Sequence, residues 1–170
     1  MITFYFIMWI LAIAATAIYF LLKFHYSKRK PEFKPQISLE YWNNPSILLL
    51  NMINDYRLFY GVNKLLPEAL THSLADLRCT TVINNFFIEG AELSHRGFPD
   101  VVSMALDEGI NQVGENLAYG FNSNIVVFNN FRDSKSHNEN MLNPNWKYIG
   151  IDIREDLTIN KKFYVVIFSN

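Results

Sequence analysis

The chain has 170 residues, half of them apolar, and its 15 Lys and Arg nearly balance 16 Asp and Glu, for a net charge of −1. A charge so close to zero gives no argument for nucleic-acid binding, and no nucleic-acid partner is expected. The single cysteine, Cys79, excludes a disulfide within the chain and leaves no CxxC pair.

The apolar residues are unevenly spread. Residues 1–22 carry no charged side chain. As a helix they would span about 33 Å at 1.5 Å per residue, enough to cross a bilayer core, so the expectation is an N-terminal transmembrane helix. A cleaved signal peptide is the rival reading, because Ala15-Thr16-Ala17 resembles a small-residue cleavage site. Against it, no Lys or Arg precedes the run, and cleavage there would leave the apolar stub Ile18-Tyr19-Phe20-Leu21-Leu22. Residues 23–43 read as a basic juxtamembrane linker, with Lys23, Lys28, Arg29, Lys30 and Lys34 alongside Pro31 and Pro35. That charge on the carboxy-terminal side alone would, by the positive-inside bias, keep the remaining chain in the cytoplasm. It could also touch anionic headgroups.

Residues 44–170 read as one domain, long enough to bury a core without staples. Asn44 is placed to cap a first helix with Pro45 at its first position, apolar residues at Ile47, Leu50, Ile53 and Leu58, and Gly61 closing it. A second helix is expected from Pro67 to Phe87, with Leu70, Leu74, Leu77, Val82 and Phe86 inward and Gly90 at its end. A shorter one is expected near Val101 to Glu108, stopped by Gly109. Val113 to Tyr119 reads as a strand, Asn124 to Ser134 as helix, and the end of the chain as a hairpin. Its strands are centred on Tyr148–Ile153 and Phe163–Phe168. Helices before and between few strands imply an α+β fold on a mainly antiparallel sheet.

Three chemically active side chains stand out. His95 lies in a polar loop beside Gly97 and Pro99, His137 in a second polar turn after Phe131, and Glu115 at the start of a strand with Leu117 on the same face. A glutamate buried beside a leucine needs a cationic or hydrogen-bonding partner. An imidazolium, or a metal held by His95 and His137, would satisfy it. Two mechanisms suit such a trio. Zinc or another divalent ion could take both imidazoles, with Glu115 as third ligand or as base to a bound water; alternatively Glu115 could orient one histidine as a general base. The plain alternative is a polar network that only holds loops together. Glu115 and His137 are the catalytic candidates. Arg57 is expected to be structural, pairing with carbonyls or a carboxylate. Cys79 reads as a buried hydrophobe, and His72 as a surface histidine.

Four motifs in order resemble the CAP superfamily, the SCP-like domain of cysteine-rich secretory, antigen-five and pathogenesis-related proteins. They are Asn54-Asp55-Tyr56-Arg57, Ser94-His95, Gly114-Glu115-Asn116-Leu117-Ala118, and Phe131 through Ser134 and His137 to Glu139-Asn140. The resemblance covers about Pro45 to Asn170 and is nearest the small disulfide-free bacterial-type members. It implies an α-β-α sandwich whose cavity is lined by His95, Glu115, Ser134 and His137, with His95 and His137 able to hold a divalent metal. Ser134 stands where eukaryotic members carry a second glutamate, and Phe131 where a tryptophan is usual. The function expected is a membrane-anchored binding or interaction module with a lipid or peptide ligand; the alternative is a metal-dependent, peptidase-like hydrolase using Glu115. The charge distribution argues for a cytoplasmic domain and the resemblance for an exoplasmic one. We take the exoplasmic side.

Overall fold

The computed structural model of the chain describes residues 44–170 apart from 89, 91, 158 and 159, together with residues 18, 33 and 34. The expected anchor (1–22) and linker (23–43) therefore lie almost wholly outside the described residues. Among those described, no helix is long and apolar enough to cross a membrane.

Helix α1 (Pro45–Phe59) starts where the sequence places it, with Asn44 Oδ1 accepting from the amides of Ser46 and Ile47 at 3.1 Å. Its inward face is rotated from the expected one. Leu49, Met52, Ile53 and Tyr56 form the buried stripe, at the i, i+3, i+4, i+7 spacing, while Ile47 and Leu58 are 41% and 51% exposed. Helix α2 (Ala69–Ile88) begins two residues later than predicted. Leu66–Pro67 instead forms a short strand, β1, parallel to Tyr148–Ile149, and the Glu68 carboxylate then accepts from the Leu70 and Thr71 amides. A helix cannot begin before its own cap. Leu74, Ala75, Cys79, Val82 and Phe86 of α2 are buried, whereas Leu77, expected inward, is 41% exposed.

Helix α3 (Phe98–Asp107) takes in Pro99 in its first turn, so it starts three residues before Val101. Strand β2 (Val113–Tyr119) has the predicted bounds. After α4 (Asn124–Asp133) the chain enters a further helix, α5 (Lys135–Leu142), where the sequence suggested only a polar turn. Strands β3 (Tyr148–Asp156) and β4 (Lys161–Ser169) complete the hairpin.

The sheet order is β1-β3-β4-β2, with β4 antiparallel to both β3 and β2. Helices α2 and α3 pack on one face of it and α1, α4 and α5 on the other, giving the mixed α+β arrangement expected. Period-two alternation divides the strands between two cores. Leu117, Phe163, Val165 and Ile167 meet Leu74, Cys79, Val82 and Phe86 of α2 and Val101 and Ala105 of α3. On the other face the buried side chains of α1 and α4 include Tyr56 and Phe128, whose rings meet edge-on at 5.4 Å. Cys79 is fully buried, and burial raises its thiol pKa to about 12, so it behaves as the small hydrophobe expected.

At Gly150 in β3 the backbone of α2 lies close against the sheet. A Cβ there would lie 2.2 Å from the Thr71 carbonyl oxygen and 2.6 Å from the His72 amide nitrogen, both backbone atoms. Gly150→Ala must therefore push α2 off the sheet. The expected loss is about 1–3 kcal/mol, read as a lower urea midpoint at unchanged slope. An unshifted midpoint would show that the start of α2 yields without cost.

Candidate functional site

Strand β2 turns Glu115 and Leu117 toward α2, and Glu115 is only 5% exposed. The partner it meets is Arg78, itself fully buried in the middle of α2. Arg78 Nε donates to Glu115 Oε2 in a close ion pair, and Nη2 reaches Oε1 at 3.3 Å. The remaining guanidinium hydrogens go to the loop before α3, with Nη1 donating to the Arg96 carbonyl at 2.8 Å and Nη2 to that of Ser94 at 3.2 Å. Arg78 thus holds the carboxylate on one side and the two residues flanking His95 on the other. Gly97 lets this loop lie down on α2. Its φ of +83° favours glycine, and an added Cβ would sit 3.1 Å from Thr81 Cγ2 and 3.4 Å from Arg78 Nη1.

His95 Nδ1 lies 2.6 Å from Glu115 Oε1, while 61% of its side chain stays exposed. The hydrogen bond to the carboxylate raises the His95 pKa, outweighing burial and the repulsion of Arg78. Both oxygens of Glu115 are therefore occupied.

The opposite face of β2 fixes His137. Asn116 Nδ2 donates to the His137 carbonyl at 3.0 Å, and Asn140 Nδ2 donates to Glu115 O and Asn116 Oδ1, each at 3.0 Å. Tyr56 Oη donates to Asn138 Oδ1 at 3.0 Å, tying α5 to α1 as well. The His137 ring rests against Phe131 at 5.1 Å, with a buried Nδ1 that has no hydrogen-bond partner among the described residues. Burial, and then the charge on His95, lower its pKa. The two histidines are thus near enough to sense each other.

Ser134 joins α4 to α5 in an extended conformation, with its hydroxyl 3.5 Å from Ser136 Oγ. It positions the helix that carries His137. Glu139 is exposed and sits 4.0 Å from Lys135 Nζ. Arg57 does what the sequence suggested: Nε donates to Asn63 O at 2.7 Å, and Nη1 to Met141 O at 2.7 Å and Asn143 O at 3.0 Å. Asn54 closes both backbone groups of Leu65, at 2.7 and 3.0 Å. His72 is exposed, as expected.

The structure therefore brings Glu115 and His95 into contact and sets His137 nearby, without a hydrogen bond between His137 and the other two. Among the described residues, no group of three or more His, Cys, Asp or Glu side chains is arranged to hold a metal ion. The residue that sequence reasoning missed is Arg78. It was findable: Arg78 falls four residues after Leu74 and four before Val82, on the apolar stripe of α2. A charge there demands a buried partner.

No protein-family model and no curated protein matches this sequence. Solved structures do. A cysteine-rich secretory protein from Staphylococcus aureus superposes with a TM-score of 0.61 at 18% identity, covering 81% of this chain and 42% of its own. An extracellular protein containing an SCP domain, from Bacillus anthracis, gives 0.63 at 17%, covering 81% and 45%. An outer surface protein from Borrelia burgdorferi gives 0.63 at 23%, covering 73% and 90%. The fold is that of the SCP-type, or CAP, domain. The chain spans less than half the length of the staphylococcal and Bacillus proteins it matches.

The histidines should titrate in opposite directions. By NMR of the imidazole protons in metal-free protein, His95 is expected above the ordinary value of about 6.5 and His137 below it. Because the folded pKa of His95 is raised, its pairing with Glu115 stabilises the protein below about pH 6.5 and is lost as pH rises through the folded pKa. The lowered pKa of His137 works the other way, costing stability as pH falls below about 6.5. Glu115→Gln should bring His95 down; an unmoved His95 would break the assignment.

Proposed function

We propose that this chain is an SCP-type binding module displayed on the outer side of a membrane, anchored by residues 1–22 through the linker 23–43, with residues 44–170 as the ligand-binding domain. Its cavity is the space between His95 and His137, lined also by Glu115 and Ser134. The observation that carries the binding reading is the state of Glu115, whose side chain is 1% exposed and has both oxygens engaged by Arg78 and His95. A general base must reach the proton it removes. This carboxylate instead sets the charge and orientation of His95, which weighs against the hydrolase alternative. The exoplasmic side is supported by the similar structures, one described as extracellular, one as an outer surface protein and one as secretory.

A divalent cation would enter this site as an accessory rather than a structural ion, held by His95 and His137 alone. A metal-ligating histidine commonly gives its other nitrogen to a carboxylate, as His95 Nδ1 gives itself to Glu115. His137, whose Nδ1 has no hydrogen-bond partner among the described residues, would supply a second donor. Two imidazoles are two ligands short of the four that zinc takes, so water or a ligand's own carboxylate would complete the shell. A bound zinc would supply a Lewis-acid anchor for an acceptor group on a lipid or peptide. Because His95 must first lose its proton, binding should strengthen as pH rises.

Thermal unfolding of the full chain in detergent micelles tests this reading. Zinc at a hundred times its dissociation constant should stabilise by about 2.7 kcal/mol. The shift should be larger at pH 8 than at pH 6, and lost in His95→Ala and in His137→Ala. An unchanged midpoint at pH 8 removes the metal, and turnover of peptide or ester libraries that Glu115→Gln abolishes removes the binding reading.

A further inference from the structure

A cleft of about 700 Å³ opens where residues 63–66, the loop from α5 to β3, Gln112 and Asn170 come together. It shares no lining residue with the His95–His137 site. Hydrogen bonds to the main chain build it. Arg57 holds the Asn63 carbonyl through Nε and the Asn143 carbonyl through Nη1, so one buried guanidinium ties both of its walls. The Leu66 amide donates to the Lys147 carbonyl at 2.9 Å, and the Lys147 amide to that of Ser169 at 2.8 Å. The Gln112 amide donates to Asn170 Oδ1 at 3.0 Å. Trp146, also in the lining, is stacked on Phe168 at 6.5 Å. Gly114 makes room for it, since an added Cβ there would lie 2.9 Å from Trp146 Cζ2. A frame fixed in this way leaves little to order when a ligand arrives.

The chemistry of the lining selects the ligand. Of the described residues that line the cleft none is Asp or Glu, although the chain has 16 of them, whereas Lys64 and Lys147 both do and both are exposed. Two cations in a cleft without carboxylates concentrate anions there. The other polar side chains include four carboxamides, Asn63, Gln112, Asn145 and Asn170. A carboxamide donates and accepts at once, which matches the hydroxyls of a sugar. The half-buried Tyr148 adds an aromatic surface with a polar tip. An acidic peptide would need an apolar pocket for an anchoring side chain, and here the packed indole of Trp146 takes that space. We propose that this cleft binds an acidic oligosaccharide. Lys64 and Lys147 hold its carboxylates, and the carboxamides of Asn63, Gln112 and Asn145 take its hydroxyls.

Titration calorimetry of the full chain in detergent micelles, with tetragalacturonate as the probe, tests this. Binding should be roughly ten-fold tighter than that of neutral maltotetraose and should weaken as salt is added. Combining Lys64→Gln with Lys147→Gln should cost about ten-fold in affinity, the sum of two exposed charge pairs. Both lysines are exposed, so the thermal midpoint of this variant should match the parent's. The indole N–H resonance of Trp146, assigned with Trp146→Phe, should shift on titration. His95→Ala should bind as the parent does, which separates this cleft from the cavity of the proposed function. Absent heat together with an unmoved indole resonance at millimolar tetragalacturonate overturns the proposal. So does binding that the double lysine variant leaves unchanged, or that His95→Ala removes. Tetraglutamate bound as tightly as tetragalacturonate overturns it too, by assigning the cleft to an acidic peptide.

Discussion

The buried pairing of Arg78 with Glu115 is the interaction on which the site depends. A guanidinium and a carboxylate, both nearly without solvent, face each other between α2 and β2. Such a pair contributes little net stability over two apolar residues, yet losing one partner costs about 3–5 kcal/mol because the other is left buried and charged. Its value here is positional. The same guanidinium also binds the carbonyls of Ser94 and Arg96, so one side chain fixes a helix, a strand and the loop bearing His95.

From that fixed point the two faces of β2 perform different tasks. Glu115 faces α2 and sets the charge of His95, while its neighbour Asn116 faces the other layer and holds the backbone of α5. Asparagine suits this work because its amide donates and accepts at once, as Asn116 does toward His137 and Asn140. The histidines consequently arrive from opposite layers of the sandwich in different electrostatic states. His95 is a carboxylate-backed base with a raised pKa, and His137 a desolvated one with a lowered pKa.

A second group of polar residues does the framing. Arg57 and Asn54, one helical turn apart in α1, satisfy the Asn63 carbonyl, both backbone groups of Leu65, and the Met141 and Asn143 carbonyls at the end of α5. Buried backbone groups have to be paired somewhere, and these side chains let irregular segments cross the domain without that penalty. This is the physical content of the Asn54 and Arg57 motif.

The sequence alone was enough for the elements whose signals are local. Asn44-Pro45 announces the start of α1, the alternation from Val113 to Tyr119 sets β2, and the order of the motifs indicates the fold. It also singled out His95, Glu115 and His137, because titratable residues in polar turns and at a strand's start are visible one at a time. Tertiary structure decided the rest. Which apolar residues of α1 and α2 face inward depends on where neighbouring layers lie, so Ile47, Leu58 and Leu77 ended outside. Strand β1 is two residues long and exists only because β3 is there to pair with it. Helix α5 has no apolar stripe of its own and is held by hydrogen bonds from Asn116, Asn140 and Tyr56. Above all, the partner of Glu115 lies 37 residues earlier in the chain. Local patterns report what a segment prefers, whereas a buried charge reports what another segment must provide, and only packing brings the two together.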